Sequence, residues 1–346
     1  MGSNPRFWRK RLAYPLYVLV FVLLGAEITV RILGYTAWQP AEQSFSVEPD
    51  GSFFRPDSLL GYAGRAGRFS ITLGDTLHYT VTHRADGFRI TAPLTQVDTA
   101  DRPEIWILGC SFTHGFGVND AENYPWMLQA DFPQYRIRNW AMDGYGTLHA
   151  YRILQAKLKA ERPPALVILA YGAFHDQRNT SNRYWRKVLQ GREMVAGIRY
   201  PQARFDESGN VQFSTSQLEY RPFPLMRYSA LSHLLEMTYN RQQDQQLRSE
   251  DITTSLIDSI QETLLDHKVS LLIAGIFHHP ETTRRLQEFK ERGHAVADIS
   301  VDVERPELRI LPSDGHPNRK AHRMMADELA LLLPKLLNGE PNFGNE

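Results

Sequence analysis

The sequence predicts an α/β protein in which a parallel sheet carries helices on both faces. Two observations support this. From Glu104 onward, short apolar runs alternate with segments of helical spacing, which is the pattern of repeated strand–helix units. One run, ALVILAY at 165–171, is wholly apolar, as expected for a strand that helices cover on both sides. We therefore expect one main α/β domain over residues 101–338, followed by a short tail at 339–346.

The composition is that of an ordinary globular protein and excludes several classes. The 346 residues are 42% hydrophobic and 23% charged, which argues against a disordered chain and against a membrane protein with many spans. The 39 Lys and Arg residues balance 39 Asp and Glu residues, so no basic excess favours nucleic acid as a partner. The single cysteine, Cys110, excludes an internal disulfide and a zinc site built on cysteine pairs.

The first apolar segment predicts a membrane anchor. Residues 12–26 contain no charge, and the segment continues to Tyr35 with two charged residues, Glu27 and Arg31, spaced so that they can pair on one helical face. As a helix, residues 12–35 would be about 36 Å long, enough to cross a hydrocarbon core of about 30 Å. Charges near the end of such a helix can reach the membrane interface.

The flanks of this segment decide between three interpretations. The basic residues in the tail 1–11 favour a single-pass signal anchor with a cytoplasmic N-terminus and an exported remainder. A cleaved signal peptide needs small residues before the cut, and Leu24 stands two positions before the small Ala26. A buried helix of a soluble protein would also explain a short charge-free run. We expect the anchor, with residues 12–35 in contact with the bilayer.

Residues 36–100 predict a small β-rich accessory region. They are rich in Gly, Pro, Asp, Ser and Thr, with short alternating runs at 68–73 and 77–83. Gly74-Asp75 separates these two runs and is a typical hairpin turn.

The elements of the α/β domain then follow in order. Pro163 should end the helix that precedes the third strand. Strands are predicted at 104–112, 135–142, 165–171, 270–277 and 295–300, and helices at 124–132, 148–163, 250–267, 281–292 and 318–338.

Residues 180–248 interrupt this alternation and predict an insertion. Two runs at 192–200 and 210–220 flank Glu207-Ser208-Gly209 and suggest a hairpin, and 223–239 has the spacing of an amphipathic helix. Ligands of open α/β sheets bind at the carboxyl edge, where we expect this insertion.

The first candidate site residue is Ser111. It follows an apolar strand within GCSFTHGFG (109–117), so a tight turn would expose it at the carboxyl edge, with its backbone N–H near a helix N-terminus. Such a turn can also be purely structural or bind phosphate, but the segment lacks both the GxGxxG pattern and a following Lys. His114 in the same segment could support the site through another residue, but an ordinary surface histidine is the interpretation we favour.

The second candidate pair is Asp314 and His316, in SDGHPN (313–318) before the last helix. Two positions apart in one loop, they can project together, so that His316 acts as general base and Asp314 holds its tautomer. A turn with an incidental histidine is the alternative.

Two further strand ends carry supporting groups. NWAMDGYG (139–146) ends in glycines, which let a backbone N–H approach a ligand closely. YGAFHDQRN (171–179) follows the third strand, and His175 could donate a hydrogen bond into the same cleft.

Taken in order, these four segments resemble the conserved blocks of the SGNH/GDSL hydrolase superfamily, over residues 101–338. The resemblance implies a flavodoxin-like three-layer α/β/α sandwich. It implies Ser111 as the nucleophile, Asp314 and His316 as the rest of the triad, and an oxyanion hole formed by the amides of Ser111 and Gly144 with a side chain of the third block.

Two positions depart from the family pattern. Cys110 replaces the usual Asp before the serine, and we expect it to be a small packing residue. His175 replaces the usual Asn, and a neutral imidazole can still donate one hydrogen bond. Asp176 could hold the tautomer of this ring, or it could cap a helix N-terminus. The spacing of one residue between Asp314 and His316 also occurs in members that resemble envelope-sugar O-acetyltransferases.

The resulting functional prediction is an exported, membrane-tethered serine esterase or deacetylase that acts on ester-linked acyl groups, with envelope carbohydrate as the expected substrate. An O-acetyltransferase with the same triad and a non-catalytic glycan- or partner-binding protein remain alternatives. No cofactor is expected. His278-His279 lack an accompanying carboxylate cluster, so no metal site is expected either.

Overall fold

A computed structural model of the chain describes residues 5–40, 44–49, 51–74, 76–93, 101–190, 197–311 and 314–338, with side chains from residue 13 onward. The chain divides into two compact units. The smaller unit consists of Met1–Glu42 and Tyr220–Gln246, and the larger unit consists of Gln43–Glu219 and Leu247–Glu346. Of the predicted segments, the tail at 339–346 lies outside the described residues.

The described elements are, in chain order, α1 (Pro5–Ile32), β1 (Phe45–Glu48), β2 (Phe54–Asp57), β3 (Gly61–Gly64), β4 (Gly67–Leu73), β5 (Leu77–His83), β6 (Glu104–Leu108), α2 (Ser111–His114), α3 (Tyr124–Asp131), β7 (Arg136–Asn139), α4 (Thr147–Ala160), β8 (Leu166–Tyr171), α5 (Phe174–Asn179), α6 (Arg183–Leu189), β9 (Arg199–Phe205), β10 (Val211–Gln217), α7 (Ala230–Leu247), α8 (Ser249–Asp266), β11 (Ser270–Gly275), α9 (Pro280–Glu291), β12 (Val296–Asp298), β13 (Arg309–Leu311), β14 (Asp314–Pro317) and α10 (Arg319–Leu337). Single 3₁₀ turns lie at Asp120–Glu122 and Pro306–Leu308.

The larger unit is built on a five-stranded parallel sheet. Its strand order is β12-β11-β8-β6-β7, and all four neighbouring pairs are parallel. If these five strands are numbered 1 to 5 in chain order, from β6 to β12, and the sheet is read from β7, the order is 2-1-3-4-5, as in flavodoxin-like doubly wound folds. The predicted fold class is therefore confirmed.

Alternation along the strands separates two cores. Ile105 and Ile107 pack into one cluster with residues of α3 and α10, such as Leu128 and Leu329. Trp106 and Leu108 point the other way, into a second cluster that includes residues of α4, α8 and α9. Because successive side chains of a strand face opposite sides, this division produces the three layers.

Most predicted elements of this domain occur at or near their predicted positions, with one shift at the site. The strand predicted over 104–112 ends at Leu108, and Ser111 already begins α2. The accessory region also contains the predicted hairpin, because β4 pairs with β5 from Gly67 opposite His83 to Leu73 opposite Leu77. Asp75 of its turn lies outside the described residues.

The insertion contains the predicted hairpin, but its helix differs from the prediction. Among the described residues of the two runs, strand pairing begins at Arg199 and joins β9 to β10 across the predicted turn; residues 191–196 lie outside the described chain. The helix predicted from 223 begins at Ala230. Leu225 has a φ of 60°, in the left-handed region, which interrupts a right-handed helix.

Helix α1 is long and apolar enough to cross a membrane by length and composition, over Ala13–Ile32. Its apolar side chains are largely exposed, which does not fit the interpretation of a buried helix. The predicted pair forms, with Arg31 Nε 2.6 Å from Glu27 Oε1.

A buried arginine joins the accessory region to the segment after α2. Arg89 is fully buried and forms an ion pair with Asp120. Its other donors bind backbone carbonyls, those of Thr80, His114, Gly115 and Val118. The guanidinium therefore fastens the loop that follows the Ser111 turn.

We expect Arg89→Leu to lower the free energy of unfolding by about 3 kcal/mol, because it leaves a carboxylate and several carbonyls without their buried donor. Urea unfolding measures this. Arg68→Leu, at an exposed position of β4, is the matched control and should change stability by less than about 0.5 kcal/mol. Equal effects of the two substitutions would contradict the structural role of Arg89.

Candidate active site

The Ser111 turn is shaped by its small neighbours. Strand β6 ends at Leu108, and a Cβ on Gly109 would lie 2.4 Å from Thr113 Oγ1, so the chain can turn this tightly only with glycine there. Ser111 is then the first residue of α2, at the carboxyl edge of the sheet. Its backbone N–H accordingly points out of the first helical turn.

Ser111, His316 and Asp314 form one hydrogen-bonded chain. His316 Nε2 lies 2.8 Å from Ser111 Oγ, and His316 Nδ1 lies 2.6 Å from Asp314 Oδ1. Asp314 Oδ1 also accepts the backbone N–H of His316 at 2.9 Å. Because the carboxylate accepts the Nδ1 proton, Nε2 is left to accept the Ser111 hydroxyl proton. This is the arrangement that activates a serine.

A short ladder holds the Asp314–His316 segment, which is a strand and not the predicted loop. Strand β14 pairs antiparallel with β13, so Asp314 and His316, two positions apart, share one face. Asn318 caps α10 and also donates to the carbonyls of Glu307 and Arg309. Ser313 of the predicted motif lies outside the described residues.

Aromatic rings flank the histidine. The rings of Phe112 and Phe116 lie 5.1 and 4.7 Å from that of His316, centroid to centroid. The His316 side chain is 24% exposed, whereas Ser111 is 6% exposed. The imidazole is therefore reachable from solvent beside a mostly buried serine.

Gly144 has a left-handed backbone conformation, which favours glycine. Its φ is 77°, and an added Cβ would lie 2.4 Å from the Tyr62 hydroxyl. Both constraints require glycine.

Three side chains from separate elements hold the carbonyls around Gly144. Tyr62 Oη donates to the carbonyl of Asp143, Tyr200 Oη donates to that of Gly144 at 2.9 Å, and Arg178 Nη1 donates to that of Tyr145 at 2.8 Å. The three donors, Tyr62, Tyr200 and Arg178, come from β3, β9 and α5 respectively. Sequence reasoning missed Tyr62 and Tyr200, since neither lies in a motif or near Gly144 in the chain.

His114 is buried at 1% exposure, which corrects the expected surface position. Its Nδ1 lies 2.9 Å from Asp143 Oδ1, and its Nε2 lies 2.9 Å from His83 Nε2. His83 Nδ1 faces the carbonyl of Arg65 at 3.1 Å, and burial lowers the pKa of His83 well below its usual value. A buried Asp–His–His chain therefore links the Gly144 loop, α2 and β5.

His175 is buried with both ring nitrogens unbonded within the described part of the chain. Burial lowers its pKa well below the usual value, so the ring is neutral and has one N–H to donate. Asp176 does not hold its tautomer as expected. That carboxylate instead accepts the Tyr171 hydroxyl at 3.0 Å and faces Arg285, and burial raises its pKa to about 7.

Cys110 is buried as predicted, and burial raises the pKa of its thiol, with Arg178 opposing this through its charge and a hydrogen bond.

Among the described residues no cluster of three or more His, Cys, Asp or Glu side chains could hold a metal ion. His279 instead caps α9.

Solved structures similar to the chain include esterases and lipolytic proteins of the G-D-S-L family, the family that the motifs resemble. Esterase EstA from Pseudoalteromonas sp. is 16% identical over 68% of this chain and all of its own, with a TM-score of 0.39. A lipolytic G-D-S-L protein from Veillonella parvula is 14% identical over 67% of this chain and 98% of its own, with the same TM-score. No protein-family model and no curated protein matches the chain.

We expect Gly144→Ala to destabilise the protein by about 3 kcal/mol, since it combines left-handed strain with a clash against Tyr62. Gly209→Ala is the matched control, because Gly209 has a φ of 83° but open space around it. It should cost about 1 kcal/mol. Denaturant unfolding compares them, and equal losses would show that the clash is absent.

Proposed function

We propose that the protein is a serine esterase that cleaves ester-linked acyl groups through Ser111, His316 and Asp314. The observation that carries the proposal is the hydrogen bond between Ser111 Oγ and His316 Nε2, across 205 positions of the chain. A scaffold has no physical need for a serine, an imidazole and a carboxylate in this order and geometry.

In the proposed mechanism His316 takes the hydroxyl proton as Ser111 Oγ attacks the ester carbonyl. Asp314 stabilises the imidazolium that forms. The oxyanion develops beside the N–H groups of Ser111 and Gly144, with the neutral His175 ring as a third donor. His316 then gives its proton to the leaving alkoxide, and water attacks the acyl-enzyme with His316 again as base.

The proposal extends to location and substrate. Helix α1 would tether the enzyme to the bilayer as a signal anchor, with the larger unit exported. The acyl group would be carried by an envelope carbohydrate, a choice that rests on the family resemblance and on the spacing between Asp314 and His316.

A fluorophosphonate probe tests the nucleophile without knowledge of the substrate. We expect covalent modification of wild type on the peptide that contains Ser111, and no modification of Ser111→Ala or His316→Asn. Ser70→Ala, at an exposed position of β4, should label like wild type. With a chromogenic acetyl ester, Ser111→Ala should reduce kcat on the order of 10⁴-fold.

The same assays separate the alternatives. An acyl-enzyme that accumulates and is discharged by a sugar, not by water, would identify an acyltransferase. Wild type that neither labels nor turns over ester while it binds glycan would contradict the esterase proposal and favour a binding protein.

His175→Ala should lower kcat by about 10²-fold with little change in KM, because it removes a donor that acts on the developing oxyanion. His175→Asn keeps an N–H donor and should recover much of the loss. Steady-state kinetics on protein shown to be folded by circular dichroism measures both. If His175→Ala retains full kcat, the oxyanion role is wrong while the triad is unaffected.

A further inference from the structure

The smaller unit contains a second segment that is attached to the end of the proposed membrane span. The Glu27 carboxylate accepts the Ser229 hydroxyl at 2.7 Å and the backbone N–H groups of Ala230 and Leu231, each at 2.9 Å. Arg31 pairs with Glu27 and donates to the carbonyl of Tyr228 at 2.8 Å. The start of α7 is thus fixed to the last turns of α1.

Three more contacts hold this segment and the start of α7 to the chain that follows α1. The N–H of Trp38 donates to the carbonyl of Met226 at 2.9 Å, and His233 Nδ1 bonds the carbonyl of Thr36 at 2.9 Å. The guanidinium of Arg227 lies over the Trp38 ring. Residues 225–231 therefore cannot move away from α1 without breaking several bonds.

The position of Glu27 sets the depth of this segment. The apolar stretch runs from Ala13 to Ile32, and Glu27 lies five residues before its end. At 1.5 Å per residue this is about 8 Å along the helix. If this stretch, about 30 Å long, crosses a hydrocarbon core of about 30 Å, the atoms bonded to Glu27 lie within about 8 Å of the boundary between the core and the interface.

The side chains that this segment presents suit that level. Leu225 is 70% exposed and Tyr228 is 79% exposed, and the last residue of α1, Ile32, and the following Leu33 are also exposed. Tyrosine is enriched at membrane interfaces, where its ring is apolar and its hydroxyl is hydrated. Leu225 is also held in the left-handed region, an unusual conformation for an exposed leucine.

Glu27 also removes the main obstacle to membrane contact. The first N–H groups of a helix lack partners within the helix, and they are costly to place in a medium with little water. At α7 the carboxylate accepts two of them, and Arg31 balances its charge.

We propose that the turn 225–231, through Leu225 and Tyr228, inserts into the bilayer interface beside the carboxyl end of α1. The inference rests on the proposed membrane span. We propose lipid as the partner of this surface. If the test fails, the surface is covered instead by a second copy of the chain or by another protein.

Site-directed fluorescence on the full chain in lipid nanodiscs tests this. Leu225→Cys and Tyr228→Cys are labelled with an environment-sensitive dye, while the buried Cys110 should stay unlabelled. Val20→Cys in the span and Phe213→Cys on β10 serve as membrane and water controls. We expect the labels at 225 and 228 to be quenched by a nitroxide near the lipid headgroup, and the label at 213 to be quenched only by aqueous iodide.

The controls make the outcomes distinguishable. If the label at 20 is quenched by a nitroxide on the lipid acyl chain but those at 225 and 228 behave like 213 towards the headgroup nitroxide, the inference is overturned and the span survives. If the label at 20 is quenched by iodide and not by lipid nitroxide, α1 does not span the membrane. Labels at 225 and 228 that neither quencher reaches would show that protein covers the surface.

A further substitution tests the attachment. Glu27→Gln should weaken the contact between α1 and the turn, so that the label at 228 loses most of its quenching by lipid while the label at 20 keeps it. Unchanged quenching at 228 would contradict the part assigned to Glu27.

Discussion

The hydrogen bond between Ser111 and His316 is the interaction on which the proposed chemistry depends. It joins the end of β6 to β14, two segments that are 205 positions apart in the chain. The parallel sheet makes this possible because it directs every strand's carboxyl end to one edge. The ladder between β13 and β14 then holds Asp314 and His316 on one face, directly before α10. A chain that lacked either the sheet order or this ladder would have the same residues without the site.

The segments outside the sheet act on the same loop. Tyr62 comes from the accessory region, Tyr200 from the inserted hairpin and Arg178 from α5, and each donates to a different carbonyl of residues 143–145. With its carbonyls held in this way, the loop has a fixed backbone, and the Gly144 N–H keeps a fixed direction. An oxyanion donor is effective to the extent that it needs no reorganisation during the reaction. We therefore interpret the accessory region and the insertion as parts of the site's support.

Local patterns predicted the sheet, most helices and the residues Ser111, Asp314 and His316, because strand ends and small-residue turns are encoded by neighbouring residues. Long-range contacts could not be predicted in this way. Nothing near Tyr62 indicates that its hydroxyl reaches Asp143, 81 positions away. The start of α7 was misplaced because helical spacing in 223–239 is present, but the left-handed Leu225 and the Glu27 cap decide where the helix begins. His114 has no local apolar pattern that would indicate its burial.

Two Asp–His pairs adjoin α2, and their surroundings give them different capacities. His316 bonds Ser111 through Nε2, and its partly exposed ring can exchange protons with substrate and water. His114 stands one turn from Ser111, but both of its ring nitrogens are already engaged, with Asp143 and with His83. Since it has no free nitrogen and no solvent access, it cannot accept the Ser111 proton. The buried pair therefore positions α2 against the Gly144 loop, and in the proposed mechanism the part of base falls to His316.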